Sequence, residues 1–369
     1  MKEQEKVYAC WLMNCPTLSD RQKHKFSQTC GSLEELYFSS VKLWKTVLTE
    51  KGATDLAQYT EHWKPEEAFA GMREKKIELI TILDKEYPDK LKEIPDPPFG
   101  LFVRGKLKNS SSPSVAVIGA RDCSPYGEHV AKEVAGMMAT AGITVVSGMA
   151  RGIDGIAQRA ALDAGGFSIG VLGSGVDVCY PLQNRDLYEK LTDKGMVVSS
   201  FPLGYPAKPL NFPIRNRIVS GLVDAVVVVE ARKKSGTLIT VDMALEQGRE
   251  VYVIPGRITD ELSKGCNALI AQGANILTSV EDFIKEITGE NSILTTGSFS
   301  LPQNSSTMSG LSTVEQKLLG LLSYEPKSTH VIMYELEEEI SLPQLSSSLM
   351  MLCAAGKIRQ ISPGQFCLL

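Results

Sequence analysis

Between residue 114 and about residue 287, one pattern recurs along the chain. A short β-branched run is followed by a turn, and then by residues with helical spacing. The runs lie at 115–118, 143–146, 168–172, 196–199, 225–229, 251–254 and 275–277. They are almost continuously apolar and do not alternate, which predicts strands covered on both faces. Helices between successive strands require parallel pairing with right-handed crossovers. The expected fold is therefore α/β: a doubly wound, mostly parallel, Rossmann-like sheet of six or seven strands. Such sheets bind ligands at the carboxyl ends of their strands.

The flanks read differently. Residues 1–75 predict an N-terminal helical domain holding Trp11, Trp44 and Trp63, the chain's three tryptophans, as core. Residues 77–83 look like a strand, and a proline-rich connector leads to 101–105. The polar run 109–113 reads as a hinge. The expected sheet domain spans 76–287, and residues 288–311, rich in Ser, Thr, Asn and Gly, read as a linker. Residues 312–369 predict two helical faces, Val314, Leu318, Leu319, Leu322 and then Leu345, Leu349, Met350, Leu352, followed by a hairpin. That order suggests a small winged-helix domain, which either reads DNA or contacts protein. The second helix carries no Lys or Arg, which is poor for gripping phosphates.

Charge and cysteine usage narrow the function. The net charge of −4 excludes a polybasic binder, so any nucleic-acid surface must be local. Eight scattered cysteines without a CxxC pair, and four histidines, predict neither a zinc site nor a disulfide framework. No apolar run approaches a membrane span, so the expected location is the cytoplasm, with no membrane partner.

Four glycine-bearing turns follow predicted strands: 119–127, 147–155, 173–177 and 235–240. Glycine lets backbone approach a phosphate, and a helix N-terminus offers free N–H groups and partial positive charge. Four turns at one sheet edge would line a single crevice. No Walker loop and no GxGxxG is present. The second strand ends in Val146-Ser147-Gly148 without the acid that would hold a ribose, which disfavours NAD. The stretch Lys208-Pro-Leu-Asn211-Phe212-Pro213-Ile-Arg215-Asn216-Arg217 adds three cations and a ring. Its prolines predict a shaped loop rather than a helix. Cations on phosphates and a ring on a base would suit a single strand. Equally, Phe212 plugs into the core, the arginines pair with Asp154, Asp177 or Glu230, and Asn211 and Asn216 serve as turn residues. Those carboxylates are candidate general bases, though no catalytic constellation emerges.

At these same turns the chain resembles the bacterial DNA-processing protein A family, also called Smf. The matching segments are Gly119-Ala-Arg121, 147–154, 173–181 with Asn184-Arg185, 211–217, Glu230 with 235–240, 248–256 and 265–274. The resemblance implies a non-enzymatic binder of single-stranded DNA acting in natural transformation and recombination. Such a protein protects the strand, helps load RecA, and works as a homodimer through its sheet domain without a cofactor. Residue by residue, it implies a DNA site of Gly119, Arg121, Ser147, Gly148, Gly152, Lys208, Asn211, Phe212, Arg215, Arg217, Ser235 and Gly236. Arg121 and Lys208 would be the main phosphate contacts and Phe212 the stacking ring. Gly148, Gly152 and Gly236 would admit the strand, while Asn211, Arg215 and Arg217 support the pocket. The helix around Leu269 and Ile270 is the expected dimer patch.

The chain departs from the family at Ser200, where an acid is common, at Thr237 in place of serine and at Met149 in place of leucine. It also lacks the glycine-rich hairpin many members carry in the N-terminal domain. The alternative function is a nucleotide phosphoribohydrolase of the lysine-decarboxylase-like group. That group's Pro-Gly-Gly run is missing here: Arg232-Lys-Lys-Ser235-Gly236-Thr237 offers only the Gly-Thr.

Overall fold

In the computed structural model, which describes residues 1–107, 112–289, 311–336 and 340–368, every predicted strand of the sheet is present. The strands are β1 (Ile77–Thr81), β2 (Gly100–Gly105), β3 (Ser114–Ile118), β4 (Thr144–Ser147), β5 (Ser168–Val171), β6 (Met196–Ser199), β7 (Ala225–Val228), β8 (Glu250–Val253) and β9 (Asn275–Ile276). They form one nine-stranded sheet in the order β1-β2-β6-β5-β4-β3-β7-β8-β9. The strands from β3 to β9 pair in parallel, and those from β3 to β7 are buried along their whole length except at Ile169, which is half-buried. That two-sided burial is why their sequences run apolar without alternation.

The sheet exceeds the expected six or seven strands because the lead-in segment joins it. β2 pairs antiparallel with β6, Phe102 opposite Ser199, and β1 pairs antiparallel with β2. The pair covers an edge of the parallel set that would otherwise expose its hydrogen-bonding groups.

The order fixes where a ligand belongs. From β3 the chain winds outward through β4 and β5 to β6. It then crosses back to lay β7 against the other side of β3. The junction of β3 and β7 is the topological switch point, where turns leaving adjacent strands diverge and open a crevice.

The chain divides into two compact units, and the first takes in the sheet and the helices before it. Those helices are Glu3–Asn14, Asp20–Thr29, Leu33–Tyr37, Val41–Trp44, Glu50–His62 and Pro65–Glu74. Ser19, Ser32 and Thr49 cap three of them through their side chains, and Pro65 starts the last, where a missing N–H costs nothing. Trp11 and Trp44 are buried, as expected of core, while Trp63 is half-buried. The bundle shares its core with the sheet: Trp11, Phe26 and Leu36 belong to one apolar cluster with Phe102, Leu172 and Leu187.

The second unit includes the described residues from 311 onward. There the helices Thr313–Leu321, Thr329–Glu335 and Leu342–Ala354 pack with an antiparallel sheet of β10 (Lys327–Ser328), β11 (Ile358–Ser362) and β12 (Gln365–Leu368), in the order β10-β12-β11. Leu318, Leu322, Leu345, Leu349 and Leu352 form its core, as the periodicity predicts. Met350 does not join them and is 70% exposed. The expected linker lies almost wholly outside the described residues, as does most of the 109–113 hinge. Among the described residues no helix is long and apolar enough to cross a membrane.

Candidate nucleic-acid interface

A cavity of about 600 Å³ opens at the β3/β7 switch point. Three of the four glycine-bearing turns line it: Gly119 to Asp122 after β3, Gly148 and Ala150 after β4, and Lys234 to Thr237 after β7. The fourth wall is Phe212, Pro213, Arg215 and Asn216. The turn at 173–177 is not part of the lining. It lies under that wall: the Asn211 Nδ2 donates to the Gly173 carbonyl at 2.8 Å, and a Cβ added at Gly173 would sit 2.9 Å from Phe212 Cδ1.

The wall itself corrects the sequence reading. Residues from 211 onward form a helix, Asn211–Gly221, and not a loop. Pro213 is its third residue, inside the first turn, where backbone N–H groups have no intrahelical acceptor to lose. Prolines spaced like these are compatible with a helix start; only a proline deeper in would have broken it.

The cations separate into two kinds. Arg215 and Arg217 were expected to share an edge with Arg121 and Lys208, and neither presents a free charge. Arg215 is buried, and its guanidinium donates to the carbonyls of Gly148 and of Val171, the latter at 2.5 Å. Asp154, also buried, accepts from the Gly148 N–H at 3.1 Å. Burial pulls Arg215 down to about 10, against the opposing pull of Asp154, and leaves it charged at neutral pH. Burial likewise pushes the Asp154 carboxyl up, opposed first by Arg215 and then by the Gly148 N–H. Together they brace the turn after β4 from beneath. Arg217 points elsewhere. It bridges Asp20 at 2.6 Å and the Asp96 carboxylate at 3.2 Å, tying the helical bundle to the sheet.

Arg121 remains available, exposed and with its Cζ 5.7 Å from the Phe212 ring centroid. Two further exposed cations, Arg232 and Lys234, line the cavity, and sequence reasoning passed over both. Their signal was a cationic run directly before a helix cap. Ser235 caps the helix Gly236–Glu246, accepting from the Thr237 N–H at 3.1 Å, and the positive end of that helix faces the cavity. Arg121, Arg232 and Lys234 make no ion pair among the described residues. Lys208 is exposed but outside the lining, its Nζ lying 5.1 Å from the Tyr205 ring centroid. Tyr180, also missed, lines the cavity and stacks on Phe212 with centroids 5.6 Å apart.

The turn after β4 is held in a conformation it would not choose alone. Met149 sits at φ 53°, uncommon for a residue with a side chain. Its N–H donates to Gln158 at 3.1 Å, and Asn184 donates to the carbonyls of Met149 and Ala150 at 2.9 and 3.0 Å. Ser147, expected at the ligand, is instead wholly buried and donates to the Val117 carbonyl at 2.7 Å.

The glycines also divide. A Cβ at Gly148 would meet the Arg215 guanidinium at 2.3 Å, and one at Gly119 would meet Ile153 at 2.7 Å. At Gly152, φ is 71° and a Cβ would fall 2.3 Å from the Ala120 carbonyl oxygen. These three serve internal packing. Gly236 has nothing within 4 Å of its Cβ position, so space above it is open to a ligand. Gly152→Ala therefore destabilises the fold by about 1–3 kcal/mol through overpacking. Gly236→Ala stays within about 0.5 kcal/mol of wild type. Parallel urea melts separate the two, and equal midpoints would contradict this division.

A switch-point cleft with a cationic, glycine-bearing rim on a doubly wound sheet defines a ligand-binding protein of the Rossmann-like class. The sequence model of the family described as DNA recombination-mediator protein A matches residues 78–288, all of this sheet but Ile77. The chain belongs to that family. It is 43% identical over 212 residues to the DNA processing protein DprA of Streptococcus pneumoniae, covering 57% of this chain and 74% of that one. It is 39% identical over 255 residues to protein Smf of Escherichia coli, covering 69% and 68% respectively. The X-ray structure of DNA processing protein A from Streptococcus pneumoniae matches with a TM-score of 0.67 at 33% identity, covering 76% of this chain and 98% of that one. A structure of DNA processing protein A from Helicobacter pylori, concerned with its single-stranded DNA binding mode, matches with a TM-score of 0.53 at 28% identity, covering 57% and 95%. The chain is thus a DNA-processing, recombination-mediator protein by family. The proposed dimer patch needs one correction: Leu269 is buried in the core beneath its helix, and Ile270 is only half-buried.

Proposed function

We propose that this protein binds single-stranded DNA in the switch-point cleft, without turnover. The observation that carries the reading is the concentration of unpaired charge there. In a chain of net charge −4, Arg121, Arg232, Lys234 and the positive end of a capped helix converge on one open cavity with aromatic walls. Cations and N–H groups suit phosphates, and the rings suit unpaired bases, which a duplex would keep stacked inside. The single-strand binding mode studied for the Helicobacter pylori protein supports the same ligand class.

The family resemblance extends the proposal to handing the strand to RecA and to self-association through the sheet domain. The C-terminal unit, with its three helices and three-stranded sheet, is proposed as a winged-helix domain that serves as a contact module. Its helix Leu342–Ala354 carries no Lys or Arg, which weighs against phosphate binding.

Binding to oligo-dT across a salt series tests the reading. With three cations engaged, log affinity falls against log salt with a slope near −2, at roughly −0.7 per phosphate contact on a single strand. Gly236→Ala weakens binding while leaving stability unchanged, because its new methyl group occupies open space at the ligand. Salt-insensitive binding, a preference for duplex, or release of free base from AMP would overturn the proposal.

A further inference from the structure

The N-terminal bundle holds a cavity of its own. It is an open groove of about 790 Å³ at the end of the helix Glu50–His62, lined chiefly by Asp55, Tyr59, Glu61, His62 and Trp63. None of these residues lines the switch-point cleft. The rings of Tyr59 and Trp63 lie with centroids 5.2 Å apart and planes tilted by 36°. Both residues are anchored: the Tyr59 hydroxyl donates to the Trp11 carbonyl, and the Tyr37 hydroxyl donates to the Trp63 carbonyl, each at 3.2 Å. Trp11 and Trp44 are buried, whereas Trp63 is half-buried.

The charge in the groove is of one sign. Asp55 and Glu61 make no ion pair among the described residues, and no Lys or Arg lines the cavity. Lys45 and Lys64, which flank the helix in sequence, are taken by Glu50 and Glu67. Glu61 also stands in the last turn of a 13-residue helix, where the carbonyl end is already negative. A carboxylate there works against the fold, so its charge serves something outside it. Trp63 carries a buried Nε1 with no acceptor, which a carbonyl of a docked peptide would supply. Two rings, two uncommitted carboxylates and a helix carboxyl end are the complement of a cation and repel a nucleic acid. A guanidinium fits this set best, because its plane stacks on aromatic faces while its fork pairs with a carboxylate.

We infer that this groove docks an arginine side chain carried on a segment of a partner protein. The guanidinium lies against Tyr59 and Trp63 and pairs with Asp55 and Glu61. The site is separate from the cleft and does not depend on what the cleft binds.

The test titrates the full chain with an acetylated, amidated peptide of alternating glycine and arginine. Calorimetry reads affinity, and tryptophan emission reports the groove through Trp63. Wild-type protein binds saturably with a change in emission, and the lysine counterpart of the peptide binds more weakly. Asp55→Asn/Glu61→Gln loses about 10- to 100-fold in affinity, the fold-change expected for lost charge-assisted contacts. Its urea midpoint is unchanged or slightly raised, since neither carboxylate has a partner to lose. Asp163→Asn/Glu189→Gln removes the same charge from exposed carboxylates elsewhere and binds like wild type. Trp63→Phe abolishes the change in emission. The inference is overturned if the wild-type protein shows no saturable binding up to about 1 mM peptide, a contact weaker than about 4 kcal/mol. It is equally overturned if the two double variants lose affinity alike, if emission still responds in Trp63→Phe, or if the lysine peptide binds as tightly as the arginine one.

Discussion

Arg215→Met lowers the stability of the protein by about 3–5 kcal/mol, the order of loss expected when a buried charge is removed and the groups that depend on it are left uncompensated. The guanidinium donates to the carbonyls of Gly148 and Val171, and it is the positive charge facing buried Asp154. Its loss leaves two carbonyls without that donor and a buried carboxylate without a nearby positive charge. Urea unfolding reads the effect directly as a lower midpoint with an unchanged slope. Arg215→Lys does not rescue it, because one ammonium cannot reproduce a fork that spans two carbonyls. The double variant Asp154→Asn/Arg215→Met recovers part of the loss by removing the stranded charge. A wild-type midpoint for the single variant would show that Arg215 does not brace the turn. DNA binding falls in Arg215→Met as well, since Gly148 and Ala150 depend on that brace for their position.

Arg121→Ala produces the largest effect on binding that leaves the fold intact. Arg121 is exposed, unpaired and central in the cleft, so its loss removes a charge-assisted contact worth about 1.5–3 kcal/mol. Affinity for oligo-dT drops on the order of 10- to 100-fold, and the salt slope becomes shallower by about 0.7. Lys234→Ala changes the slope by the same amount, because each residue is assigned one phosphate. Arg217→Ala leaves the slope alone, since that arginine is committed to Asp20 and Asp96. Fluorescence anisotropy at several salt concentrations distinguishes the three. An Arg217 variant that flattens the slope as much as Arg121→Ala would show that the assignment of free and committed cations is wrong.

The sheet was legible because burial on both faces leaves an imprint in the sequence itself. Each strand from β3 to β8 coincides with a continuous apolar run, and the turns that follow β3, β4 and β7 carry the glycines. The helix at Asn211–Gly221 was not legible as a helix, because Pro213 reads the same inside a first turn as in a loop. β1 was visible as a strand but not as a member of the sheet, and residues 101–105 were visible only as the end of a connector. Nothing in residues 100–105 names Ser199 as the neighbour of Phe102 across an antiparallel pair.

The site was legible in kind but not in membership. Sequence placed the turns and the cationic stretch near one edge, and three of the four turns do meet there. It had no means of ranking Arg121, Arg215 and Arg217, which look alike as letters. What separates them is how far each side chain lies from water and which carboxylates or carbonyls it meets first. Asp20 lies 197 residues from Arg217, and Val171 lies 44 from Arg215. Local residue chemistry by itself determined that this chain winds a parallel sheet with glycine-bearing turns at its carboxyl edge. Only the tertiary structure decided which charges reach solvent at the switch point, because burial and pairing depend on neighbours that the chain brings together by folding.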